Sequence, residues 1–249
     1  MKKLQTVSRA FICVTLPLVM LMLIFLAVSI ASGDRAWLNR EYDKLDINAY
    51  TGMSTGDMIA AFMQMVDYMK GDADSMDVEV EVNGERMQMY NETERAHMVD
   101  VRSLYTRLRA AAYIVLALAV ISLALAAFAH RTKVDRRSIL RFSAKAALWS
   151  IVGVVGFLLA LGAWAAIDFD SFWAVFHIVF LDLESSTFDP AVSRMIRICP
   201  AELFFDMVLR IFIFAGGAMA VIAAVCGIYL KKSGKTARSA LNAELTPMI

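Results

Sequence analysis

Ala110-Ala-Ala-Tyr-Ile-Val-Leu-Ala-Leu-Ala-Val-Ile-Ser-Leu-Ala-Leu-Ala-Ala-Phe-Ala129 carries no charged side chain. A helix needs about 20 such residues to cross the hydrocarbon core of a bilayer. In lipid only a helix or a closed barrel satisfies the backbone N–H and C=O groups, so the stretch reads as a membrane span. Three similar runs accompany it: Ala10–Ala31, Ala146–Ile167 and Ile211–Leu230, the last extended at its start by Leu203–Leu209. The whole chain agrees, with 249 residues, 59% of them hydrophobic, and a mean hydropathy of +0.58. That composition belongs to the membrane class. A secretory signal competes for the first run, but its apolar core should be only about 7–15 residues long. Ala31-Ser-Gly33 is also a weak cleavage match, so a retained helix is expected, with Pro17 tolerated in a packed bundle. Gly153, Gly156, Gly216, Gly217 and Gly227 are either small positions where helices approach closely or ordinary transmembrane glycine usage.

Lysine and arginine orient the spans. Lys2, Lys3 and Arg9 precede the first. Arg131, Lys133, Arg136, Arg137, Arg141 and Lys145 fill the short loop between the second and third. Lys231, Lys232, Lys235 and Arg238 follow the fourth, and only the acids Asp135 and Glu244 share these segments. The positive-inside rule makes all three cytoplasmic, with both termini inside. Arg102, Arg107 and Arg109, just before the second span, argue the other way but are outweighed. The expected fold is therefore a mainly α membrane protein of four transmembrane helices. A small extracytoplasmic α+β cap and a re-entrant or interfacial helix complete it. The segments are 1–31, 32–109 (the cap), 110–167, 168–206 (the second outer segment) and 207–249.

Within the cap, Thr55–Lys70 has the apolar period of an amphipathic helix, with Ser54 or Thr55 as N-cap and Gly71 as stop. Val78–Val82, Asn83-Gly84 and Glu85–Tyr90 read as a β-hairpin, since Asn-Gly between alternating flanks favours a tight turn. Asn91 caps a helix that begins at Glu92. Its apolar face comprises Met98, Val101, Leu104, Tyr105 and Leu108. The second outer segment opens on Phe172–Leu181, an apolar run too short to span, bracketed by Asp168 and Asp170 before and Asp182 and Glu184 after.

Two histidines fall on these outer elements. His97 lies at the edge of the apolar face, with Glu94 and Asp100 three residues to either side and within reach on a helix. A carboxylate so placed orients an imidazole and raises its basicity. The plainer reading is a surface histidine paired within its own helix. His177 lies within the short apolar run, where it is either a packed histidine or one held at headgroup depth. His130, at the cytoplasmic end of the second span, is read as an interface residue. A straight helix would put His97 about 20 Å above Ala110. To meet His177, that helix must break around Ser103–Arg109 or lie along the membrane, or the His177 segment must rise. Cys13, Cys199 and Cys226 give no disulfide framework, and a structural zinc site is not expected. There is no GxSxG, HExxH or Walker pattern.

Glu94-Arg-Ala-His-Met-Val-Asp-Val101, Phe176-His177 with Phe180, Phe188-Asp-Pro190, Pro200 and Phe204-Phe205 occur in that order across four spans. In this order and setting they resemble the lipoprotein intramolecular transacylases of Gram-positive bacteria, Lit. The resemblance implies transfer of an acyl chain from a lipoprotein's diacylglyceryl group to the α-amino group of its N-terminal cysteine. It carries the family's two important histidines onto His97 and His177. It also implies a bacterial cell membrane setting with the site on the extracytoplasmic face, and a diacylated lipoprotein and membrane lipids as partners. No nucleic acid, cofactor or metal is expected.

Such an aminolysis needs a base for the amine and donors for the oxyanion. Arg102, Arg194 and Arg197 are candidate donors. Two other functions compete. One is a membrane sensor or assembly factor that binds through its acidic cap and the methionines of Met53–Met69. The other is a metal-dependent hydrolase using both histidines and an acid such as Asp189.

Overall fold

The structure is a computed structural model that describes residues 2–131, 136–181 and 188–245. Four long helices dominate: α1 (Lys2–Ala31), α5 (Glu92–Arg131), α6 (Arg136–Ile167) and α9 (Ala201–Leu245). Each contains a stretch long and apolar enough to span a bilayer. Between α1 and α5 lie α2 (Arg35–Lys44), α3 (Ile47–Thr51), α4 (Thr55–Lys70) and the strands β1 (Glu79–Val82) and β2 (Glu85–Gln88). Between α6 and α9 lie α7 (Phe169–Phe180) and α8 (Arg194–Ile198). The chain divides into two compact units. The first is Met1–Phe25, Ala112–Leu161 and Phe214–Ile249; the second is Leu26–Ala111 and Gly162–Ile213.

In the first unit Met20 packs with Val154 and Met219, and Ile12 with Ile139. Thr15 and Ser122 share a 3.0 Å hydrogen bond between helices. Arg9 donates to Ser138 at 2.8 Å and lies over the Phe142 ring. Large apolar side chains such as Leu123 and Trp149 face outward, as a surface solvated by lipid requires. The glycines do not hold the helices together. A Cβ at Gly153, Gly156, Gly216, Gly217 or Gly227 would meet nothing within 4 Å. These glycines sit on open helix faces, which within the chain fits ordinary transmembrane glycine usage.

The second unit has a core of its own. Leu38 and Tyr42 from α2, Met58 and Ala61 from α4, Val80 from β1 and Met89 after β2 are all fully or almost fully enclosed. Ser54 caps α4 by accepting from the Asp57 amide, and Gly71 ends it at φ +85°. The strands pair antiparallel about Asn83-Gly84, both at positive φ, as a tight hairpin demands. Gly52, also at positive φ, lies against this turn. A Cβ there would come 2.2 Å from the Asn83 side-chain oxygen, while the Asn83 amide bonds the Gly52 carbonyl at 2.9 Å. The methionines of α4 face inward: Met58 and Met63 are buried, and Met65 and Met69 pack against the core. Their flexible thioethers fill the interior rather than offer the binding surface that a sensor would need.

α5 runs unbroken for 40 residues, so the expected option of a break around Ser103–Arg109 is excluded. Met98 and Tyr105 are buried as its period predicts, whereas Leu108 is exposed. Two of the arginines before the second span are occupied locally. Arg109 donates to the Lys70 carbonyl at 2.7 Å. Arg102 donates to that of Ala73 at 3.2 Å and stacks on Tyr68. Arg109 thereby satisfies a carbonyl at the C-terminal end of α4, where a helix has unpaired acceptors and a negative dipole end, and Arg102 fastens the loop that follows. At the start of α9, Leu203 joins the core. Further along, Arg210 bonds the Asp34 carboxylate and the Ala31 carbonyl and lies over Trp37. Asp34 in turn caps α2 through the Trp37 amide. These two contacts, the amide first, hold its carboxyl below the usual range.

Tyr42 is fully buried, and its hydroxyl has no hydrogen-bond partner among the described residues. Burial also pushes its phenol pKa well up, as it does that of neighbouring Tyr90, and raises the Cys199 thiol to about 12. An orphaned buried hydroxyl costs about 1–3 kcal/mol. Tyr42→Phe is therefore expected to raise the melting temperature of the purified protein or leave it unchanged. A clear fall would mean that the hydroxyl is bonded.

Candidate active site

The site is built on the N-terminal end of α5. Asn91 and Glu94 form a reciprocal capping box. The Asn91 side chain accepts from the Glu94 amide at 2.9 Å, and Glu94 Oε2 accepts from the Asn91 amide at 2.8 Å. The box fixes the first turn of the helix, and His97 stands one turn further on. It is 9% exposed and meets the Phe188 ring edge-to-face, centroids 5.2 Å apart. The plainer expectation of a surface histidine is thus not met, because an element between α7 and α8 covers it.

That element is a tight turn. The Asp189 carbonyl accepts from the Val192 and Ser193 amides at 3.0 and 2.8 Å, and Asp189 Oδ1 accepts from the Ala191 amide at 2.8 Å. Pro190 fixes one further dihedral inside it. Ser193 then caps α8, and its hydroxyl donates to Glu94 Oε1 at 2.6 Å. The Met195 amide donates to the same oxygen at 2.9 Å. Glu94 is completely buried, yet its oxygens accept three hydrogen bonds, none of them from His97. It joins the start of α5 to the start of α8 instead of orienting the imidazole directly as expected. Asp189 likewise builds its turn.

The expected oxyanion donors have other uses. Arg194 donates to the Met89 and Gln88 carbonyls at 3.0 and 2.9 Å. Arg197 donates to the Tyr50 carbonyl at 3.0 Å and lies over the Tyr50 ring. Arg102 serves the loop after α4. All three guanidiniums fasten loops to the cap by saturating backbone acceptors. Asp100 is half-buried on α5, one turn beyond His97.

α7 carries residue 177 near its C-terminal end. The side chain of His177, and Asp182 and Glu184 entirely, lie outside the described residues. Asp168 caps α7 through the Ser171 amide at 3.0 Å, and Trp164 meets Phe172 edge-to-face, fixing its start. Val175, Ile178, Val179 and Phe180 are exposed. No three His, Cys, Asp or Glu side chains converge as metal ligands among the described residues.

One residue of this arrangement escapes a reading by motif. Ser193 has no sequence signal beyond its suitability as an N-cap. The return arm of the capping box, Asn91 followed by Glu94 three positions on, is legible but yields to the nearer pairing of Glu94 with His97.

A family model of the lipoprotein intramolecular transacylase Lit matches residues 13–205, a range that holds every element just described. The chain belongs to this family. Among solved structures, the membrane-integral Lit of Bacillus cereus superposes with a TM-score of 0.71 at 17% identity, over 94% of this chain and 100% of that one. Two variants of it, with one histidine replaced by arginine or by alanine, give TM-scores of 0.67 and 0.66 at 20% and 18% identity. They cover 93% and 92% of this chain and 96% and 95% of theirs. A search of curated proteins returned no match. At these identities the solved structures speak for the Lit fold, and the family match carries the activity. The chain is an integral membrane acyltransferase of the Lit type, acting on lipoproteins. The sensor reading has no support beside it.

Proposed function

We propose that this Lit protein works on the extracytoplasmic face. There it moves an acyl chain from the diacylglyceryl group of a lipoprotein to the α-amino group of its N-terminal cysteine, with His97 and His177 as catalytic residues. The observation that carries the reading is the enclosure of His97: a capped helix end, a covering ring and a position within the matched range. The α-amino group, of pKa about 8, is mostly protonated at neutral pH and cannot attack until it loses a proton. That proton passes to solvent, and as the neutral amine attacks, an imidazole accepts a second proton from its nitrogen. The amine nitrogen then bonds to the ester carbonyl carbon, and the bond from that carbon to the glyceryl oxygen breaks. The imidazolium returns the proton to the departing alkoxide, leaving an amide and a monoacylglyceryl thioether. Ester and amine reside on one substrate, so positioning supplies much of the acceleration.

One histidine serves as base and the other as its partner or as a transient acyl acceptor. Asp100 is the carboxylate proposed to orient His97. The apolar exposed side of α7 suits an interfacial or re-entrant helix beside lipid esters, and the basic loops favour cytoplasmic termini. Mass spectrometry of a reporter lipoprotein's N-terminus tests the reading in a host that lacks native N-acylation. Expression of this chain is expected to convert the diacylglyceryl form to the N-acylated lyso form. An unchanged diacylglyceryl form, with the protein present in the membrane, would overturn it.

A further inference from the structure

Glu94 and Ser193 lie 99 positions apart in sequence, yet they form the shortest link between the helix of His97 and the turn that covers it. The link is buried, at 0% exposure for Glu94 and 2% for Ser193. At one end the capping box fixes the carboxylate. At the other, the Asp189 turn, rigid through its own hydrogen bonds, connects Ser193 to Phe188. A shift of Ser193 must therefore carry Phe188 with it, and Phe188 is the ring that bounds His97. The circuit is closed: helix end, carboxylate, hydroxyl, turn, phenyl edge, imidazole.

We propose that Glu94 and Ser193 are positioning residues for the transacylase reaction, a buried carboxylate–hydroxyl latch that holds Phe188 against His97 and so sets the direction of the imidazole. The inference rests on His97 being catalytic. It assigns Glu94 an indirect role, through the covering turn, and gives Ser193 a role in turnover. Because the latch is sealed from water, loosening it acts on the geometry of the step and little on the grip for a large lipid substrate. A misplacement of about 1 Å is enough to slow a positioned reaction about a hundredfold.

The test uses the full chain in proteoliposomes with a synthetic diacylated lipopeptide. It compares Ser193→Ala, Glu94→Gln, Phe188→Ala and the S193A/F188A double variant at a temperature well below each one's unfolding midpoint. Ser193→Ala and Glu94→Gln are each expected to lower kcat by about 10- to 100-fold with KM within about twofold. In the double variant Ser193→Ala should add little to Phe188→Ala, because both changes release the same ring. Two results overturn the latch: a kcat for Ser193→Ala within about twofold of the parent, or full additivity with Phe188→Ala. His97→Ala, run alongside, separates the two levels. If it is inactive while Ser193→Ala is fully active, only the latch falls. If it is fully active, the latch and the catalytic reading of His97 fall together.

Discussion

His97→Ala is expected to lower the rate of lyso-lipoprotein formation by about three orders of magnitude, and His177→Ala by a similar factor. Positioned general acid–base groups contribute about 10²–10⁴ to such reactions, and here the base must act twice, on the amine and on the leaving alkoxide. The residual rate would come from holding the amine against the ester, which neither substitution disturbs. The folded state should survive, since the capping box that starts α5 does not involve the ring. Reporter mass spectrometry over a time course reads the rate, and melting temperatures check the fold. A variant with full activity would remove its histidine from the mechanism. Asp100→Asn should also slow the reaction, by less than loss of the ring, because it removes the carboxylate proposed to orient the imidazole. A rate equal to that of the parent would mean that Asp100 is not the partner.

The spans were legible because one physical constraint dominates them: backbone in lipid must close its own hydrogen bonds, and about 20 apolar residues in a row is a signal few other structures produce. The hairpin was legible for an equally local reason, the positive φ that Asn83-Gly84 accepts cheaply. The site was legible only along the helix. His97, Glu94 and Asp100 stand at helical spacing, and spacing made Glu94 the obvious partner of His97. The structure spends that carboxylate on residues 193 and 195, a choice fixed by long-range packing that no local pattern encodes. The backbone partners of the arginines escaped the sequence for the same reason. Arg194 and Arg197 looked available because their acceptors, the carbonyls of residues 88, 89 and 50, come from distant turns.

One local anomaly does resolve. Arg102, Arg107 and Arg109 ran against the positive-inside pattern, yet Arg109 is tied to the end of α4, Arg102 to the loop after it and Arg107 to the Ser103 carbonyl of its own helix. Charges held by the fold in this way have a purpose other than orienting the second span.

Leu203→Ala is expected to destabilise the protein by about 2–5 kcal/mol, whereas Phe205→Ala, two residues along the same helix, should cost far less. Both lie at the start of α9, within an apolar segment that sequence alone assigns to the span. Leu203 is 1% exposed and packs into the core of the cap unit, while Phe205 is 68% exposed. Loss of the leucine removes packing contacts and leaves a cavity bounded by side chains that cannot all collapse into it. The cavity contribution persists whether the surroundings are water or lipid. The transfer contribution vanishes if the unfolded reference keeps this turn in hydrocarbon, so the lower end of the range applies to a membrane-embedded turn and the upper end to a water-exposed one. Thermal and denaturant unfolding in a mild detergent, with hydrogen exchange across residues 35–90, would read the effect. Faster exchange in α2 and α4 for Leu203→Ala but not for Phe205→Ala is the expected pattern. Equal effects from the two substitutions would mean that the first turn of α9 belongs to the span and not to the cap.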